Sequence, residues 1–118
     1  MTKAVWIDDV MTFAEYERLA HRSTPPNMDQ KEMILLAALG VAGESGEFVE
    51  LVKKYMFHGH QLDRKKAIKE LGDILWYVAH GARALGATLQ QVAEANIEKL
   101  AARYPDGFME KDSHHDGD

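Results

Sequence analysis

Two pairs of acids, Glu44 with Glu47 and Glu70 with Asp73, are the residues of this chain best placed to do chemistry. The spacing within each pair is three, which on a helix sets both carboxylates on one face. In the stretch GESGEFVELVKK, residues 43–54, the first pair stands where an apolar seam should run. Helical projection gathers Met33, Ala37, Gly40, Glu44, Glu47 and Leu51 into one stripe and leaves Glu50 outside it. Ionised carboxylates buried without partners are costly and drift towards the neutral form, so two seam acids call for cations.

Glu70 and Asp73 repeat the device on a second helix. Their face lies opposite Leu71, Leu75, Val78 and Ala82, yet Tyr77 continues it and Ile74 and Trp76 flank it, which predicts a helix covered on more than one side. Two antiparallel helices with inward acids place four carboxylates around one point. Oxygen-only ligation of this kind suits Mg2+, with Mn2+ as a substitute, and leaves room for waters and substrate phosphates. The competing reading is a pair of solvated acidic faces, which suits Glu70–Asp73 better than the seam pair.

Other chemistries lack their residues. A di-iron carboxylate bundle requires Glu-x-x-His on two helices, and that pattern does not occur in the chain. No Gly-x-Ser-x-Gly or P-loop pattern is present. Cysteine is absent, which excludes disulfides and thiolate metal sites and suits a reducing compartment. His58, His60 and His80 are not spaced as a ligand set with the acids and read as loop or surface residues. A basic row of Asn96, Lys99 and Arg103 does fit the acids, flanking the apolar stripe Leu89, Ala93, Ile97, Leu100 and Tyr104. Beside metal ions such a row can hold phosphate oxygens, Arg as a fork and Lys as a point charge; alone it reads as snorkelling surface side chains.

The elements that must position these residues are helices. Thr12 with Glu15 forms a capping box ahead of a short first helix, which Ser23 to Asn27, with two prolines, terminates. From about Asp29 to about Phe57 the period is helical and free of proline, interrupted only by Gly40, Gly43 and Gly46. Those glycines either admit a close neighbour or kink the helix. Asp63 caps a third helix running to Leu85, with Gly86 as its stop; Thr88 and Gln91 open a fourth, which Pro105 closes. No strand pattern or repeat is visible, so the expected fold is all-α, with four main helices in an antiparallel bundle.

The length of 118 residues suits one domain, taken as 1–110, with 111–118 as a flexible polar tail. A net charge of -5 and no basic run longer than three (Arg64–Lys66) argue against a nucleic-acid polymer as partner. No segment approaches the length and apolarity of a membrane span, and a cytoplasmic location is expected. Two short helices beside a two-helix acidic site are thin for a monomer, so a homodimer or dimer of dimers should complete the bundle.

Glu44-x-x-Glu47 followed by Glu70-x-x-Asp73 resembles the ExxE…ExxD signature of the all-α nucleoside triphosphate pyrophosphohydrolases, specifically MazG-like proteins. The strings ALGVAGESGEFVELVKK, ELGDILWYVA and ANIEKLAARYPDGF are similar to that family as well, so the likeness covers roughly residues 13 to 108. It implies hydrolysis of a nucleoside triphosphate to monophosphate and pyrophosphate, with a housekeeping role in nucleotide pools. It implies Glu44, Glu47, Glu70 and Asp73 as Mg2+ ligands, with Glu47 first and Glu44 second as the group that orients or deprotonates water. Asn96, Lys99 and Arg103 follow as substrate contacts, with Lys54 beside them; Trp76, Phe13 and Tyr16 read either as aromatic groups that stack on a base or as plain core. Some relatives carry an extra acid beside the first glutamate, where this chain has Gly43 and Ser45. The alternatives are a related enzyme for dUTP or phosphoribosyl-ATP, or a catalytically silent helical oligomer.

Overall fold

The computed structural model describes residues 11–107, so the expected polar tail lies outside the described residues. Four α-helices follow one another: α1, Phe13–Ala20, extended by a 3-10 turn at His21–Ser23; α2, Gln30–Phe57; α3, Arg64–Ala84; and α4, Leu89–Arg103. Among the described residues no strand forms, and no helix is long and apolar enough to cross a membrane. The fold is all-α, as the periodicity predicts.

Local chemistry sets the boundaries. Thr12 and Glu15 make the expected capping box, and Thr88 with Gln91 makes another. Asp29 and Glu32 form a third at the start of α2, which sequence reading passed over. Asp63 accepts from the Lys66 amide at 3.0 Å and opens α3. Gly86, at φ 76°, ends α3 in the left-handed conformation. The amides of Gly86 and Ala87 then reach back to the carbonyls of Arg83 and Ala82 at 3.0 and 2.8 Å, closing a Schellman motif.

α2 is continuous over its 28 residues, so the glycines do not break it. Gly40 instead admits a neighbour: a Cβ there would overlap the Tyr77 ring. One turn earlier, a Cβ on Gly81 would come within 3.1 Å of the Ala37 methyl. Ala37 opposite Gly81 and Gly40 opposite Tyr77 fix the antiparallel register of α2 against α3, and continuing it along α2 brings Glu44 level with Asp73. α1 and α4 pack on the other side of α3, so α3 is covered on two sides, as its composition predicts.

The buried core is slight. Leu19, Ala20, Ala37, Ala79, Ala82 and Leu89 are its buried apolar members, while Leu39, Val49, Phe57 and Ile97 are each more than 60% exposed. His80 is the exception among the polar residues described and overturns the surface reading of the sequence, since it is fully buried in α3. His58 and His60 are exposed in the α2–α3 connection, as expected.

Candidate metal centre

Three carboxylates converge where α2 and α3 face each other. Oxygens of Glu44, Glu70 and Asp73 all lie within 4.8 Å of one another, with Glu44 and Glu70 half-buried and Asp73 exposed. The carboxyl of Glu44 is raised above its ordinary value by desolvation, by a hydrogen bond with Glu70, and by the charges of Asp73, Glu70 and Glu47. A carboxyl whose charged form is disfavoured by acids gathered around it is the electrostatic mark of a site short of positive charge. The donor set is oxygen only, which fits a hard divalent cation.

Glu47, the second acid of the seam, does not join the other three. It is exposed and lies outside the convergent three, although its charge is felt at Glu44. Three residues along a helix is a rotation of 300°, which leaves Glu47 some 60° off the line of Glu44; it follows Gly40 by seven residues as Glu44 follows Ala37, so it keeps to the stripe that faces α3, at its exposed edge. Sequence projection spreads both acids over one broad stripe and cannot resolve that difference.

A cleft of about 290 Å³ beside the acids is lined by Glu44, Asp73, Trp76 and Tyr77. Tyr16 of α1 also approaches Asp73: its phenol is raised above the ordinary value by burial first and by the Asp73 charge second. Trp76 and Tyr77 meet edge to face with centroids 4.9 Å apart. Tyr77 is absent from the sequence-derived set, and its position on the acidic face of α3 was the signal for it.

The proposed phosphate contacts stand apart from the acids of their own chain. Asn96 lines an apolar groove of about 340 Å³ with Phe13, Leu75 and Val92, on the α1–α4 side of α3. Lys99 is exposed, and the Arg103 guanidinium lies 5.6 Å from the Tyr104 ring centroid. None of these three lines the acidic cleft, because α4 packs on α1 and α3 and away from α2. Lys54 is half-buried near the end of α2, two turns beyond Glu47 and on its face.

The sequence matches the MazG nucleotide pyrophosphohydrolase domain over residues 32–108, which spans all four acids and α2 to α4. The chain belongs to the MazG family. A relative, the Gene 37 protein of Mycobacterium phage L5, is 34% identical over 86 residues, covering 70% of this chain and 75% of that protein. No solved structure matches the chain. Family membership makes the protein a hydrolase of the pyrophosphohydrolase class, and the acidic cluster gives this MazG domain a place to hold a divalent metal.

Proposed function

We propose that the protein hydrolyses nucleoside or deoxynucleoside triphosphates between the α- and β-phosphates, releasing monophosphate and pyrophosphate, with Mg2+ at Glu44, Glu70 and Asp73. The observation that carries this reading is the convergence of three carboxylates beside an aromatic-walled cleft, in a chain of the MazG family. Bound there, Mg2+ supplies electrophilic pull on phosphate oxygens and neutralises the pyrophosphate as its charge develops. Mn2+ has the ligand preferences to substitute.

The side chains divide the remaining work. Glu44, Glu70 and Asp73 would hold the cation, which favours the ionised form of Glu44. Glu47, exposed one turn on, keeps a carboxylate free to join the ligand set or to accept a proton from the attacking water. Tyr16, Trp76 and Tyr77 offer aromatic surface beside Asp73 for the nucleoside. Lys54, on the face of Glu47, is the cation of α2 placed to meet the distal phosphates.

A second copy of the chain belongs to this proposal. Leu35, Leu39, Ala42, Gly46, Val49, Lys53 and Met56 follow one another at spacings of four and three along α2 and are all exposed. This stripe is offset by two residues, about 200°, from the one that faces α3, so α2 carries apolar seams on opposite sides. A helix apolar on both sides is an interior helix, and here the outer seam has no cover among the described residues. A dimer or dimer of dimers covers it, and brings a second α4, with Asn96, Lys99 and Arg103, to the assembly.

The deciding experiment incubates the purified protein with Mg2+ and a panel of ribo- and deoxyribonucleoside triphosphates, resolving products by ion exchange. Monophosphate and pyrophosphate, lost on adding EDTA, are expected. Diphosphate with phosphate, or no turnover with any metal, rejects the reading.

A further inference from the structure

Trp76 stands beside two of the acids, and what holds it there is a buried cluster that the proposed reaction leaves unused. Its indole nitrogen donates to the Ala20 carbonyl at 3.2 Å and to the Ser23 hydroxyl at 2.9 Å. Its ring stacks on the imidazole of His80, centroids 3.7 Å apart and planes 28° from parallel. His80 is fully buried, and each ring nitrogen has a partner. Nδ1 lies 2.9 Å from the Trp76 carbonyl, which can only accept, so the proton is on Nδ1. Nε2 then accepts from the Thr24 hydroxyl at 2.8 Å. The arrangement is a clamp: Ser23 on Trp76 and Thr24 on His80 tie the segment after α1 to α3, with the stacked rings between.

The groups around His80 disfavour its charged form. His21 Nδ1 stands 3.4 Å from the same Nε2, the two rings meet edge to face, and Arg83 lies one turn along α3. Burial first and the Arg83 charge next lower His80, against the Trp76 carbonyl, which raises it; burial, Arg83 and His80 lower His21 to about 4. Asp29, the cap of α2, is the acid lining the cavity of about 510 Å³ that these residues border. A second proton on His80 would leave Nε2 with no lone pair to accept the Thr24 hydroxyl.

We propose that His80 is a positioning residue for the acidic cleft, holding Trp76 as its fixed wall beside Glu44 and Asp73 through the ring stack and the hydrogen bond from Thr24. The proposal rests on the reading of that cleft as the substrate site. It gives His80, which no metal or phosphate role claims, a function in substrate affinity rather than in the chemical step. A wall already in place costs nothing to order when the nucleotide arrives; a loose one must be ordered at the expense of affinity.

Thr24→Val removes the clamp's hydrogen bond at a half-buried position with little change of shape, and Thr24→Ser restores the hydroxyl. His80→Phe keeps a stacked ring and loses both bonds. All are made in a Trp6→Phe background, so that Trp76 alone fluoresces. Thr24→Val is expected to raise KM, and the Kd of a non-hydrolysable nucleoside triphosphate with Mn2+, by about three- to tenfold, the range one lost hydrogen bond allows. kcat and the affinity for Mn2+ alone should stay near wild type, acrylamide quenching of Trp76 should rise, and Thr24→Ser should reverse each change. Unchanged KM and quenching in Thr24→Val overturn the proposal, as does a fall in kcat that only follows a loss of folded protein. Should the wild-type chain turn over no nucleotide, the hydrolase reading fails by itself. The quenching and nucleotide-binding arms still decide the clamp, and an unaltered Kd then rejects it.

Discussion

At the scale of single residues, Glu44 and Glu47 differ in exposure and in closeness to the other acids although the sequence presents them as a pair. Glu44 sits among the convergent oxygens, so Glu44→Gln should weaken Mn2+ binding and turnover together, on the order of 100-fold. Glu47 is exposed and outside the cluster, so Glu47→Gln should lose turnover by a similar factor while Mn2+ affinity, measured by calorimetry, falls far less. Equal losses of metal affinity in both variants would place Glu47 among the ligands. The protonation of Glu44 has its own consequence. Because its folded pKa is raised above the ordinary 4.5, the folded chain holds a proton that the unfolded chain releases. The metal-free protein should therefore lose stability as pH rises through that window. Metal affinity should rise over the same window, since only the ionised carboxylate ligates. His21 works in the opposite sense: lowered from 6.5 to about 4, it leaves the unfolded chain binding the extra proton, and stability grows with pH between those values. Thermal melts against pH, with and without Mg2+, separate the two once Glu44→Gln is included, because that variant keeps only the histidine slope.

At the scale of the elements, nearly everything was legible. Caps at Thr12, Asp63 and Thr88, the helix-stopping prolines and glycines and an unbroken helical period over residues 29–57 are local signals, and they locate all four helices to within a few residues. What the sequence could not supply was the orientation of side chains that depend on a neighbour. Periodicity places His80 on a helix but does not show that the segment after α1 folds over it, so a buried histidine read as a surface one. The three glycines of α2 pose the same limit, since only the partner helix tells them apart. Gly40 lies under the Tyr77 ring, whereas Gly43 has open space around the position of a Cβ. Gly40→Ala should destabilise the fold, overpacking costing about 1–3 kcal/mol against roughly 1 kcal/mol gained in helix propensity, and should disturb the Tyr77 wall of the cleft. Gly43→Ala should instead stabilise α2 by about 1 kcal/mol where nothing covers it. Denaturant melts of the two variants, run side by side, check both signs.

At the scale of the whole molecule, the exposed seam of α2 and the isolation of α4 from the acids are two sides of one question. A helix with Leu39 and Val49 each more than 60% exposed, on a regular four-and-three spacing, is built to be covered. Sedimentation of the wild-type protein should therefore give two or four copies, and Leu39→Glu, which sets a charge in the middle of the seam, should shift it to a single copy. A Leu39→Glu chain that sediments as the wild type would remove the seam from the interface. The basic flank of α4 makes the dissociated chain informative. If Lys99 and Arg103 serve the phosphates, they do so across the assembly, because in their own chain they do not line the acidic cleft. Turnover should then fall with dissociation while Mn2+ affinity at Glu44, Glu70 and Asp73 persists. Mixing Leu39-intact subunits that carry Glu44→Gln with others that carry Arg103→Ala should restore activity, as each mixed dimer then holds one site with both its acids and a partner's arginine. Recovery near a quarter of the wild-type level is the expected outcome for random pairing, since half the dimers are mixed and half their sites complete; no recovery would leave the acids and Lys54 of a single chain to carry the reaction alone.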